Sequence, residues 1–284
     1  MGIENTFKFF AFRYFVVESS QISLLNDGVS PIIKMIEDCK RKRQISINVE
    51  NRMDILTFEK EYDTNTFLFK FSRDFPITKY VNDDFKKDII EITESNYPYI
   101  YVIIDVKKQI VLLERKTSIY PNATAVKNAF KAFVLTYNYS ENYTFSMDEI
   151  IELSRFWNII SNSREIFELT LNLKSPNLFG GMLTTNDLLK KTKETYNNDE
   201  IEIKFKNSKG KLKINREIDD AIKYAGSGGG SWKITRKRDD NMKKETLSSK
   251  SAIKIVEITG IDNSEQLRFD NDIIKIIKQI DDIF

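Results

Sequence analysis

Two short apolar runs lie near the middle of the chain, Tyr99-Ile-Tyr-Val-Ile-Ile-Asp105 and Ile110-Val-Leu-Leu-Glu-Arg-Lys116. Both are rich in β-branched and aromatic residues and too short for helices, so they predict buried strands. Only Val-Lys-Lys-Gln separates them, a gap suited to a tight hairpin. After Lys116, Pro121 can open a helix at its first turn, and Ala125, Ala129, Phe130 and Phe133 then share one face. The stretch from Tyr97 to Phe133 therefore reads as a hydrophobic hairpin with a helix folded over it.

Upstream, Phe7 to Val17 predicts a strand. Ser30-Pro31 can cap and open a helix carrying Ile32, Ile33, Ile36 and Cys39 and ending in Lys40-Arg-Lys-Arg43. Strict alternation predicts a strand from Ile45 to Val49. Met53 to Phe58 and Thr66 to Phe71 predict two more, and Asp83 to Ile92 reads as a short helix. Downstream, Ser146-Met-Asp-Glu149 has the spacing of a capping box, with Ile150, Ile151, Leu153, Phe156, Trp157 and Ile160 on the helix after it. Ile166 to Leu173 alternates as a strand, Pro176 to Gly181 as a loop, and Thr185 starts a charged helix to Tyr196. Glu200 to Phe205 and Lys211 to Ile214 predict a hairpin around Asn207-Ser-Lys-Gly210. Asn215 can cap a helix to Tyr224, followed by Gly226-Ser-Gly-Gly-Gly-Ser231, a strand from Trp232 to Thr235, a basic loop at Arg236-Lys-Arg238 and a strand from Ala252 to Ile258. Asn271 to Phe284 forms an amphipathic stripe of Ile273, Ile274, Ile277 and Ile280, which could dock a partner.

Hairpins and helices mix without regular strand–helix alternation, which predicts an α+β fold of mixed antiparallel sheets with packed helices. The chain has 284 residues, enough for two domains. The polar stretch from Tyr137 to Tyr143 suggests domains over 1–140 and 141–284, the first built on the 97–133 unit.

Composition narrows the chemistry. The 44 Lys and Arg nearly cancel the 42 Asp and Glu, giving a formal charge of +2, so any basic surface must be local. There is no histidine, which removes hydrolases and nucleases built on a His base or His-bound zinc. Carboxylate-held Mg²⁺, Lys or Tyr acid–base chemistry, or binding without chemistry remain. The single cysteine, Cys39, is expected to be a buried helix residue, in keeping with a cytoplasmic protein. No apolar run nears the ~20 residues of a membrane span, and the start lacks the basic region and apolar core of a signal peptide.

Asp105, Glu114 and Lys116 have the order of the metal site in PD-(D/E)xK nucleases, where two carboxylates hold Mg²⁺ and a lysine steadies the attacking water. The same three fit a bland reading, since acids are common at hairpin turns and Glu114 could face solvent. The glycine run lacks the Gly-Lys-Ser/Thr of a Walker loop and follows a helix, the wrong order for a dinucleotide-binding turn. The residues after it, Trp232, Lys233, Arg236, Lys237, Arg238, Lys243 and Lys244, interleave cations with an aromatic as a nucleic-acid surface does. Lys40, Arg41, Lys42 and Arg43 form a second basic cluster, equally explained by the helix dipole.

The block from Tyr99 to Asp105, then Ile110 to Lys116, then the helix with Phe130 resembles the equivalent block of the DNA-binding subunit of Kiwa phage-defence systems. The strand Ile166 to Leu173 and the following Lys211 hairpin are similar in order to the sensor of Rex-type phage exclusion. The resemblance implies a non-catalytic bacterial DNA-binding protein, dimeric, working with a separate membrane effector, with Glu114 to Lys116 structural. The leading expectation is thus nucleic-acid binding, DNA first, without cofactor. A Mg²⁺ nuclease using Asp105, Glu114 and Lys116, and a protein-docking subunit, stand as alternatives.

Overall fold

A computed structural model describes residues 5–18, 31–85, 87–138, 143–174, 184–196, 198, 200–239 and 242–260. In chain order the elements are β1 (Asn5–Glu18), α1 (Pro31–Lys42), β2 (Gln44–Val49), β3 (Arg52–Glu61), β4 (Thr66–Arg73), β5 (Ile77–Asp83), β6 (Asp88–Glu94), β7 (Tyr99–Asp105), β8 (Ile110–Glu114) and α2 (Ala123–Tyr137). The second half adds β9 (Tyr143–Glu149), α3 (Leu153–Ser161), β10 (Glu165–Lys174), α4 (Thr184–Tyr196), β11 (Glu200–Lys206), α5 (Asp219–Tyr224), β12 (Gly230–Lys237), β13 (Glu245–Ser248) and β14 (Ile255–Gly260). Helices pack on antiparallel sheets, as an α+β chain should.

The chain groups into two compact units, one of residues 18–108 and 113–145, the other of 1–17, 109–112 and 146–284. The grouping differs from a simple cut after residue 140, because β1 and the start of β8 belong with the C-terminal residues.

In the first unit the strands run β7-β4-β3-β2, all antiparallel. Phe71 on β4 meets Phe130 and Phe133 of α2 edge-on, at 5.6 and 5.4 Å, so the aromatic face of α2 seals this sheet. Asn122 caps α2 by accepting from the Ala125 amide at 2.9 Å, which places Pro121 just outside the helix instead of in its first turn. Tyr137 of α2 donates to Asp38 of α1, and the buried Cys39 thiol lies 3.3 Å from the Leu56 carbonyl. Burial pushes that thiol up to about 12.

In the second unit β14-β1-β8 are neighbours and β9 also pairs with β1. A separate sheet runs β11-β10-β12-β13. Leu169, Leu171 and Leu173 of β10 alternate inward with Trp232 and Ile234 of β12, and Phe156, Leu189 and Ile222 from α3, α4 and α5 cover them. Asn215 accepts from the Glu217 amide and starts the turn that becomes α5.

Three expected elements differ. Asp83 to Ile92 is not a helix but the turn and second arm of the β5–β6 hairpin, because Ile89, Ile90, Ile92 and Thr93 are β-branched. Ser146 to Glu149 is not a capping box. Phe145, Met147 and Glu149 are alternately buried on β9, and no side chain caps α3. Lys211 to Ile214 contributes one parallel bridge, Lys211 to Ile166, instead of a strand. Gly210 turns the chain there at φ +72, with a Cβ position only 2.9 Å from both Glu165 and Phe167, so glycine is required. Ser30, the Pro176–Gly181 loop and the Asn271–Phe284 stripe lie outside the described residues.

Candidate nucleic-acid interface

Asp105, Glu114 and Lys116 do not converge. Asp105 ends β7, where its carboxylate accepts from the Lys108 amide at 2.8 Å and faces the Thr66 hydroxyl at 3.5 Å. That is the geometry of an acid holding a turn. Glu114 accepts from the Tyr101 amide at 2.8 Å. Tyr101 lies four residues along β7 from Asp105, about 13 Å at strand rise, far beyond the reach of one cation. The Lys116 amine reaches the Tyr99 carbonyl at 3.3 Å and sits 5.2 Å from the Tyr99 ring centre, further still from Asp105. The nuclease arrangement fails for a physical reason: strand residues nine apart across a hairpin sit at opposite ends of it.

Both carboxyls are nearly closed off, Asp105 at 4% exposure and Glu114 at 8%. Burial raises each above the usual carboxylate range, while the amides they accept from oppose the shift. For Glu114 the folded state therefore holds its proton to higher pH than the unfolded chain does. Its contribution to stability is present below the unfolded value and is lost as pH rises through the raised folded one. Glu114→Gln keeps an oxygen for the Tyr101 amide and removes the buried charge. The variant is expected to melt higher than the wild type at pH 8, with the gain shrinking as pH falls toward 4. A lower melting temperature at pH 8 would show that the ionised carboxylate is needed.

The N-terminal basic cluster is largely balanced. Lys40 pairs with Glu61 at 2.8 Å and Glu37 at 3.6 Å, and Arg41 pairs with Asp38 at 2.6 Å. Arg43 lies over the Phe58 ring at 5.6 Å, and Lys42 is exposed at the end of α1. These residues stabilise the helix terminus and its neighbours.

The C-terminal cluster divides. Trp232 is 1% exposed and packs edge-on against Phe156 at 5.4 Å, so it offers no open face for a base. Arg236 and Lys237 belong to β12 and not to a loop. The Arg236 guanidinium turns inward, to Glu245 at 2.9 Å, to the carbonyls of Ile159 and Asn162 at 3.0 and 3.3 Å, and to the Ser163 hydroxyl at 3.2 Å. It satisfies the carbonyls that the end of α3 leaves unpaired. Lys237 lies 3.6 Å from Glu165 across the sheet. Lys244 sits over the Phe167 ring at 3.7 Å. Lys233, Arg238 and Lys243 are exposed, and Lys233 points away from the core, opposite Thr170 and Ser248.

Sequence reasoning missed what surrounds Arg236. Arg155, Asn158, Ile159, Asn162, Arg236, Arg238, Ser251 and Ala252 line a cleft of about 220 Å³. Arg155 and Asn158 on α3 and Asn162 at its C-cap recur at helical spacing, on a side away from the buried Phe156. Arg155 is held by Glu152 at 2.7 Å and donates to the Ser251 carbonyl at 3.2 Å, with half its side chain still open. Arg238 has no ion-pair partner among the described residues. Two solvent-facing guanidinia beside two amides, above a third guanidinium that fixes the floor, make a site able to grip a phosphate and hydrogen-bond what it carries.

Among the described residues no helix is long and apolar enough to cross a membrane. Comparison with family models, with curated proteins and with solved structures finds no match to this chain.

Proposed function

We propose that the protein binds nucleic acid, DNA in the first place, without cutting it, and that the arginine-lined cleft of α3 and β12 is its phosphate contact. The observation that carries this reading is the gathering of Arg155, Arg238, Asn158 and Asn162 around the buried Arg236, with Lys250 exposed beside Ser251. Guanidinium forks suit phosphate oxygens, and amides suit sugars or base edges. The separation of Asp105 from Glu114 favours binding over cleavage. The resemblance in layout to Kiwa and Rex-type proteins supports a place in bacterial phage defence, in the cytoplasm, as a homodimer handing a signal to a separate effector. The two compact units are, in this reading, two domains.

Arg155 and Arg238 are the residues to change, since removing Arg236 would take a buried donor from Glu245 and from the end of α3. Binding of the wild type to duplex DNA should weaken linearly on a log scale with salt, by roughly 0.9 per phosphate contact. The double variant Arg155→Ala, Arg238→Ala should flatten that slope by about two contacts and weaken all sequences alike, with its melting temperature within about 1 °C of the wild type. Fluorescence anisotropy across a salt series, with duplex DNA, single-stranded DNA and RNA, makes the measurement. An unchanged slope would remove the cleft from the interface. Cleavage on adding Mg²⁺ would return the nuclease reading despite the geometry.

A further inference from the structure

The β5–β6 hairpin has no role in the cleft, and its placement is unusual. Its register continues that of β4 and β7: Ser72 faces Tyr99, and further out Ile77 faces Glu94. The four strands thus form one long hairpin, interrupted where Pro76 and Pro98 remove backbone donors. The Phe75 amide bonds the Asn96 carbonyl at 2.8 Å and holds the two sides together across the interruption. Beyond it a ribbon of seven paired residues on each side projects about 24 Å.

Among the described residues no third strand pairs with either edge of this ribbon. Several of its apolar side chains are open: Tyr80 is 72% exposed, Ile89 69%, and Phe85 at the tip is fully exposed, while Val81, Ile90 and Ile92 are half-buried. Two-stranded ribbons are marginal alone in water, and unpaired edges are templates for a further strand. β5 has no proline or bulge between Ile77 and Asp83, and Lys79 is the one lysine on it. The sequence from 77 to 94 holds Asp83, Asp84, Asp88, Glu91 and Glu94 against Lys79, Lys86 and Lys87, an acidic balance that disfavours nucleic acid as the ribbon's occupant.

We propose that the β5 edge pairs antiparallel with β5 of a second copy of this chain, about a two-fold axis at Val81. A two-fold axis normal to the ribbon requires one residue to face its own copy. With Val81 on the axis, Lys79 faces Asp83 and Tyr80 faces Asn82, while Ile77 and Thr78 lie beside the turn that follows Asp83 in the other copy. Each Lys79 meets an opposite charge, and Val81 meets its own copy. Moving the axis to Tyr80 sets Ile77 against Asp83 and Lys79 against Val81. The β6 edge has no equivalent register: centring on Glu91 sets it against itself and Asp88 against Glu94. Lys79 already reaches Glu94 of its own ribbon, so in the pair it lies between two carboxylates. This gives the proposed homodimer a surface and rests on that part of the reading. Nucleic-acid binding is measured separately, so the two can fail independently.

The test uses the full chain. Val81→Cys is expected to form a disulfide-linked dimer under mild oxidation, read on a non-reducing gel. Ile90→Cys, facing Val81 on the inner strand of the same ribbon, is expected to give no disulfide-linked dimer. The native thiol does not interfere, because Cys39 is buried. Val81→Arg sets two like charges on the axis and is expected to weaken self-association about tenfold in sedimentation equilibrium, with an unchanged far-ultraviolet circular dichroism spectrum. A monomeric wild type, a Val81→Arg variant that dimerises as before, or Ile90→Cys linking as readily as Val81→Cys would each overturn the proposal.

Discussion

Replacing Trp232 by Ala is expected to cost roughly 3–5 kcal/mol of folding stability, measured by chemical denaturation, with no preferential loss of single-strand binding. The side chain is 1% exposed and lies in the core of the β11-β10-β12-β13 sheet, opposite Leu171 and edge-on to Phe156. Its removal leaves a cavity among Leu169, Leu171, Ile234 and Phe156, which sit on rigid strands and a helix and can close it only in part. The aromatic pairing with Phe156 adds to the loss. Because β12 also carries Arg236, slackening the strand should loosen the floor of the cleft, so affinity for duplex and single strand should fall together with the folded fraction. A fully folded variant that loses ~1–3 kcal/mol of single-strand affinity alone would place the indole on a base instead.

The case of Trp232 shows how much the sequence could reveal. Interleaved Trp, Lys and Arg look alike whether the strand faces a ligand or a core. What separates the two is the alternation Trp232, Ile234, Arg236 inward and Lys233, Thr235, Lys237 outward, which becomes visible only once β12 is known to extend to Lys237. Ending that strand at Thr235 turned Arg236 into a loop cation. The hairpin-and-helix unit around Tyr99 to Phe133 was legible because both runs are apolar, β-branched, too short for helices and flanked by turn residues. The β5–β6 ribbon was not, since Asp83 and Asp84 imitate the start of a helix, and no buried face fixes the period. The α3 stripe of Arg155, Asn158 and Asn162 was present in the sequence. Its meaning depends on the 249–252 turn and β12 coming alongside, which no local pattern announces.

Asp54→Ala should be the most damaging single change in the β7-β4-β3-β2 sheet, at about 3–5 kcal/mol. Asp54 is fully buried on β3, directly across from Arg73 on β4. Both carboxylate oxygens are used, one by Arg73 Nε and one by Nη2, each at 2.6 Å. The fork geometry makes this the strong form of ion pair, and the Arg73 side chain is only 14% exposed, so removing the acid strands a guanidinium with little water to replace its partner. Asp54→Asn should cost less than Ala, since it keeps one acceptor, yet it places an amide donor against the guanidinium. Joint replacement, Asp54→Leu with Arg73→Met, should recover most of the loss, because the desolvation cost of both charges disappears with them. Urea titrations of the wild type, Asp54→Leu, Arg73→Met and the joint variant close a double-mutant cycle. If the joint variant is no more stable than Asp54→Ala, the penalty does not come from the stranded charge, and the pair contributes through the shape it gives to the β3–β4 contact.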